Sequence, residues 1–133
     1  MIKQVINVED YWKIIVYYNV DYNLFDYIAY DFHCAGASDY VINRIYKTMK
    51  RRKAKAVTLS NRILHISIVV FNKHKDKLDY INSIVHEAEH VKQAMLIAYN
   101  VKDEGEAPAY TIGFIVMKMI QSKVLNKSLF KNL

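Results

Sequence analysis

The patterning of apolar residues predicts an α+β fold, with helices flanking a small sheet. Three observations carry that expectation. Residues 12–18 and 63–71 are rich in β-branched and aromatic side chains, the composition of buried strands. Between these runs, apolar residues recur at helical spacing behind recognisable caps. Beyond them lies a long helical pattern, a polar connection and a last helix.

Residues 12–18 read as a strand, although a helix started by Asp10 competes. Residues 23–32 are expected to be helical. After the Gly36-Ala37-Ser38 break, Ser38 or Asp39 caps a helix over 40–51, with Val41, Ile45 and Met49 as its apolar stripe. Residues 56–59 and 63–71 form a β-hairpin about a turn at Ser60-Asn61, its second arm burying Ile63, Ile66, Ile68, Val69 and Val70. Asp76 or Asp79 caps a long helix through Tyr99, and residues 100–105 lead to a helix over 106–125. Pro108 is tolerated there because it falls in the first turn.

No repeat or linker divides the 133 residues, so 1–133 is expected to be a single domain. A hydrophobic content of 53% supplies the apolar area that disordered chains lack. No apolar run approaches the roughly 20 residues needed to span a bilayer. Glu9, Asp10 and Lys13 interrupt the N-terminal stretch, which lacks the pattern of a secretion signal. A cytoplasmic protein without membrane association is therefore expected. Cys34 is the only cysteine, which excludes an intrachain disulfide and a cysteine-based zinc cage. The formal charge is +6, with cations clustered at Lys47, Lys50, Arg51, Arg52, Lys53 and Lys55. Such a cluster suits the solvated C-terminal end of a helix, where cations complement the dipole, or an anionic partner such as nucleic acid.

The long helix carries His86-Glu87-Ala88-Glu89-His90. Histidines four apart project from one helix face, the spacing needed to share one ion, and the intervening Glu87 can act on a metal-activated water as general base. At about 100° per residue, Ile81, Ile84, Val85, Ala88, Val91, Met95 and Ala98 form a broad apolar face. His86 and His90 lie opposite its centre, with Asn82, Ser83, Gln93 and Ile97, a composition suited to a cleft. Two exposed histidines on an ordinary surface helix remain the competing reading.

Catalytic zinc typically takes three protein ligands and an open position. Glu106 is the leading third ligand, because a chain that turns back after the motif helix presents it from an antiparallel helix. Asp103 and Glu104 compete for that place, and a helix's first turn favours acidic residues in any case. Tyr110 and Gly113 follow on the same side. Gly113 would let the two helices approach closely. Tyr110 could orient Glu106 or donate to a reacting oxyanion, or simply pack in the core.

The segments 84–90 and 104–113, with Glu106-Ala107 and Ala109-Tyr110 followed by Gly113, resemble the gluzincin group of zinc peptidases. In that group HExxH on one helix is completed by a glutamate on a following helix. The layout is similar to the minigluzincins and to small predicted peptidases of bacteria and their phages, over about half the chain. The resemblance implies a bound Zn2+ with His86, His90 and Glu106 as ligands and Glu87 as base. It also implies a peptide or protein substrate that adds a strand along the strand preceding the motif helix. Zinc-dependent peptide hydrolysis is thus the expected function. Two other readings stay open: a non-catalytic zinc-stabilised module that uses its basic segment on nucleic acid or an acidic partner, and a structural protein whose HExxH is accidental.

Overall fold

The chain opens with two antiparallel strands, Ile2–Val8 (β1) and Trp12–Tyr18 (β2), paired from Ile2 opposite Tyr18 to Val8 opposite Trp12. The computed structural model describes residues 1–122. In β2 every residue except Lys13 is buried, so both faces of the strand are covered and the competing helix after Asp10 does not form. β1 has no counterpart in the sequence reading, although its alternation of Ile2, Gln4, Ile6 and Val8 toward the interior is the period of a half-buried edge strand.

A short 3-10 turn at Tyr22–Leu24 leads into Phe25–Cys34 (α1), two residues later than expected. Ser38 caps Asp39–Lys50 (α2), its hydroxyl accepting from the Val41 backbone N–H at 3.2 Å. The stripe of α2 is rotated from the expected one: Ile42 and Met49 are buried, whereas Val41 and Ile45 are half-buried.

Ala56–Asn61 (β3) and Ile66–Phe71 (β4) form the expected hairpin, but the turn lies at 62–65, one step beyond the expected Ser60-Asn61. Asn61 shapes that turn through its side chain: Oδ1 accepts from the backbone N–H groups of Ile63 and Leu64, both at 2.9 Å. Ile63, expected in the second arm, stands 89% exposed at the tip. Asn61 Nδ2 also donates to the Ala35 carbonyl at 2.9 Å, and a Cβ at Gly36 would sit 3.0 Å from that nitrogen. Gly36 (φ +88°) is therefore required both by its backbone and by this close approach.

The strand order is β1-β2-β4-β3, with β2 and β4 parallel and the other two pairs antiparallel. Asp76 caps Lys77–Ala98 (α3), accepting from the Asp79 N–H at 2.8 Å, and Glu106–Ile120 (α4) follows with Pro108 in its first turn. α4 ends at Ile120; residues 123–125 of the expected helix lie outside the described residues. The fold is α+β, with helices on both faces of the sheet.

Strand alternation divides the core in two. Ile14, Val16, Tyr18, Val69 and Phe71 pack against Tyr80, Ile84, Ala88, Val91 and Met95 of α3 and Ile115 and Met119 of α4. On the other face Ile15, Tyr17, Ile68 and Val70 meet Phe25, Ile28, Phe32, Ile42 and Met49 of α1 and α2. Gln4 ties the edge strand to α4: Oε1 accepts from the Tyr18 hydroxyl at 2.6 Å and Nε2 donates to the Lys118 carbonyl at 2.9 Å. Among the described residues no helix is long and apolar enough to cross a membrane.

His74, on the loop entering α3, is buried, with its ring nitrogens 2.7 Å from the Asn72 carbonyl and 2.7 Å from Ser83 Oγ. Burial pushes its pKa below the ordinary histidine range. The unfolded chain then takes up a proton near pH ~6.5 that the folded chain declines, so stability present above that pH is lost as pH falls below it. Urea unfolding in the presence of a chelator should show a decline from pH 7 to 5 that is shallower in His74→Gln. An unchanged slope in the variant would exclude His74 as the source.

Candidate metal centre

The imidazoles of His86 and His90 project from α3 toward the edge strand β3. Between the two elements lies a cleft of about 380 Å3, lined by Thr58 and Ser60 of β3 and by His86, Glu87 and His90 of α3. The two Nε2 atoms are 3.2 Å apart, with ring planes crossing at 79°. Two nitrogens bound to one tetrahedral zinc at about 2.0–2.1 Å stand roughly 3.3 Å apart. The separation fits two ligands of one ion, and without an ion it is also that of an N–H···N hydrogen bond between the two neutral rings. One carboxylate oxygen of Glu87 and the two ring nitrogens all lie within 4.8 Å of one another, and this N/O donor set fits zinc.

Glu87 is only 5% exposed, which is unusual for a carboxylate and requires a donor. Thr58 supplies it, its Oγ1 donating to Glu87 Oε1 at 3.0 Å. The other oxygen, Oε2, lies 3.8 Å from His86 Nε2. Thr58 reaches Glu87 because β3 alternates: Val57 and Leu59 pack toward α1 and α2, which leaves Ala56, Thr58 and Ser60 facing α3. The polar row continues inward, with Ser60 Oγ 2.6 Å from Ser67 Oγ, which also accepts from Trp12 Nε1 at 2.9 Å. Sequence reasoning missed Thr58. The signal was the alternation of the small and polar Ala56, Thr58 and Ser60 with the apolar Val57 and Leu59.

The apolar face of α3 is also rotated from the expected one. Val85 is 43% exposed, whereas Ser83 and Glu87 are buried along with Tyr80, Ile84, Ala88, Val91 and Met95. The strand preceding α3 is β4, an interior strand, so the edge beside the histidines is β3 instead.

Glu106 is not brought to the histidines and is not a member of the donor group. α4 packs into the apolar cluster that contains Val91 and Met95, using Ile115 and Met119, while the imidazoles point to β3. Glu106, Tyr110 and Gly113 instead line an open depression of about 450 Å3 on α4, with Phe114 and Met117. Tyr110 is 77% exposed there. Among the described residues a Cβ at Gly113 would meet nothing within 4 Å, so α4 and α3 do not make the expected close approach at this glycine. Of the competing acids, Glu104 is exposed in the loop, and Asp103 is engaged by Lys92 at 3.0 Å and by Gln93 Nε2 at 3.0 Å. Lys92 also holds Glu89 at 2.8 Å, which keeps the Glu89 carboxyl below its usual range and raises the Lys92 ammonium.

No protein-family model, no curated protein and no solved structure matches the chain.

The Thr58–Glu87 bond has a measurable consequence in the metal-free protein. Thr58→Val leaves a buried acceptor unsatisfied and should lower the unfolding free energy by about 1–3 kcal/mol, while Thr58→Ser restores most of it. Equal stability of the valine variant and the wild type in urea unfolding would show that Glu87 does not depend on this donor.

Proposed function

We propose that the protein is a zinc-dependent peptidase of the HExxH type, acting in the cleft between α3 and β3. The observation that carries this reading is the 3.2 Å separation of the two imidazole nitrogens beside a buried carboxylate. His86 and His90 would hold the ion. When bound, zinc supplies Lewis-acid polarisation of a carbonyl and a water that is nucleophilic near neutral pH. Thr58 holds one oxygen of Glu87, leaving Oε2 turned toward the histidines. That oxygen is suited to accept the proton of the attacking water and to return a proton to the leaving amine. A peptide substrate is favoured because β3, beside the cleft, is an edge of the sheet among the described residues and can accept a further strand on its outer side.

One feature favours the second reading, a zinc-stabilised module without turnover. The donor group is assembled within α3 alone, and Glu87 can serve as its third ligand rather than as a base. The two readings part on Glu87→Gln, compared with wild type on a broad peptide library at equal zinc occupancy. The peptidase reading expects zinc retained and cleavage reduced by about 10²–10⁴-fold, the usual contribution of a general base. Equal cleavage by both proteins would overturn the role of Glu87, and stoichiometric zinc without cleavage by either would leave the zinc-stabilised module.

A further inference from the structure

Two basic segments separated in the chain by β3 and β4 meet at the end of the sheet where α3 begins. The first follows α2 and contains Arg51, Arg52, Lys53 and Lys55; the second follows β4 and contains Lys73 and Lys75. The Asn72 N–H donates to the Lys55 carbonyl at 2.9 Å and joins them. Between them is a pocket of about 290 Å3 whose rim carries Arg52, Lys55, Lys73 and Lys75 against a single carboxylate, Asp79. Lys55 takes that carboxylate at 2.5 Å. No ion pair engages Arg52, Lys73 or Lys75 among the described residues.

The floor of the pocket is fixed. Asn72 is 3% exposed, and its Nδ2 donates to the carbonyls of Met49 at 2.9 Å and Ala54 at 3.1 Å, while Oδ1 accepts from the Tyr22 hydroxyl. His74 is held between Asn72 and Ser83. The cations therefore stand on an ordered base.

Arg52 closes the end of α2. It occupies the left-handed region (φ 56°) just past the end of α2, where its N–H donates to the Met49 carbonyl and that of Lys53 to the Thr48 carbonyl. Glycine is the usual residue at such a helix end, and Arg52 shares this backbone region with Glu9, Asn19, His65 and Asn100. Arg52 is one of the residues that line the pocket.

We propose that this basic end is a nucleic-acid-binding surface on which Arg52, Lys73 and Lys75 contact backbone phosphates. The cations extend beyond the pocket to Lys47, Lys50, Arg51 and Lys53 on and after the last turn of α2, more than one isolated phosphate engages. A chain of phosphates matches that extent, and contacts of this kind read the backbone rather than the base sequence. The proposal does not depend on the zinc reading: none of these residues belongs to the His86–His90 cleft.

The test is fluorescence anisotropy of the full chain with a fluorescein-labelled DNA duplex of mixed sequence, titrated at several salt concentrations. Binding should weaken steeply with salt. The triple variant Arg52→Gln/Lys73→Gln/Lys75→Gln should lose at least about tenfold in affinity, with the log–log salt slope reduced by about two to three, close to one per phosphate contact removed. A control triple, Lys13→Gln/Arg62→Gln/Lys102→Gln, removes the same charge from exposed positions outside this end and should bind within about twofold of wild type. Thermal melts of both variants establish that they are folded. The proposal is overturned by absence of binding at low salt, by equal losses in the two triples, or by tight binding of heparin without binding of the duplex.

Discussion

Burial of Tyr80, Ile84, Ala88, Val91 and Met95 against the sheet sets the rotation of α3, and the geometry of the candidate centre follows from it. Burial of Ile84, Val91 and Met95 contributes about 1.5–3 kcal/mol each, so together the row outweighs the cost of any single polar group carried inward. One such group is Glu87, which the rotation places under β3, where Thr58 satisfies it. With this apolar row fixed, helical geometry puts His86 and His90 on the solvent-exposed side of α3 that borders the cleft beside β3, the His86 side chain 69% exposed. The same constraint keeps α4 on the apolar side of α3 and leaves Glu106 and Tyr110 on the outer surface of the last helix.

Much of this was legible in the sequence because its signals are local. The buried strand at Trp12–Tyr18, the cap at Ser38, the cap at Asp76 and the start of the last helix at Glu106 each rest on residue chemistry within a few positions. The histidine pair was legible for the same reason, since a four-residue spacing on a helix is a statement about geometry. What was not legible depends on partners remote in the chain. Thr58 and Glu87 are 29 residues apart and meet only because β3 joins the sheet at its edge. The turn at 62–65 escaped because Asn61 acts through its side chain while its backbone still belongs to β3. The placement of Glu106 rested on an assumed approach of two helices at Gly113, and the helix face on which that glycine lies is decided by Ile115 and Met119.

Charge is distributed with the same economy of position. The edge strand β3 begins beside the cations around Lys55 and leads past Thr58 into the histidine cleft. α3 likewise starts at the basic end and carries the donor group along its length, while the Glu89–Lys92–Asp103 cluster pins the following loop to the far half of the helix. Two surfaces of different chemistry thus share one strand and one helix, and the core that orders one also orders the other.

On the proposed reading His86 and His90 bind one zinc ion at the 3.2 Å separation of their Nε2 atoms. Zinc K-edge X-ray absorption on the stoichiometrically loaded full chain tests it most directly. Zinc held by His86 and His90 should give a first shell of nitrogen and oxygen at about 2.0–2.1 Å with the multiple scattering of two imidazoles, unchanged in Glu106→Gln and lost in His86→Ala. Failure to load stoichiometric zinc, a sulfur scatterer at about 2.3 Å, or a two-imidazole signature that survives His86→Ala would contradict it.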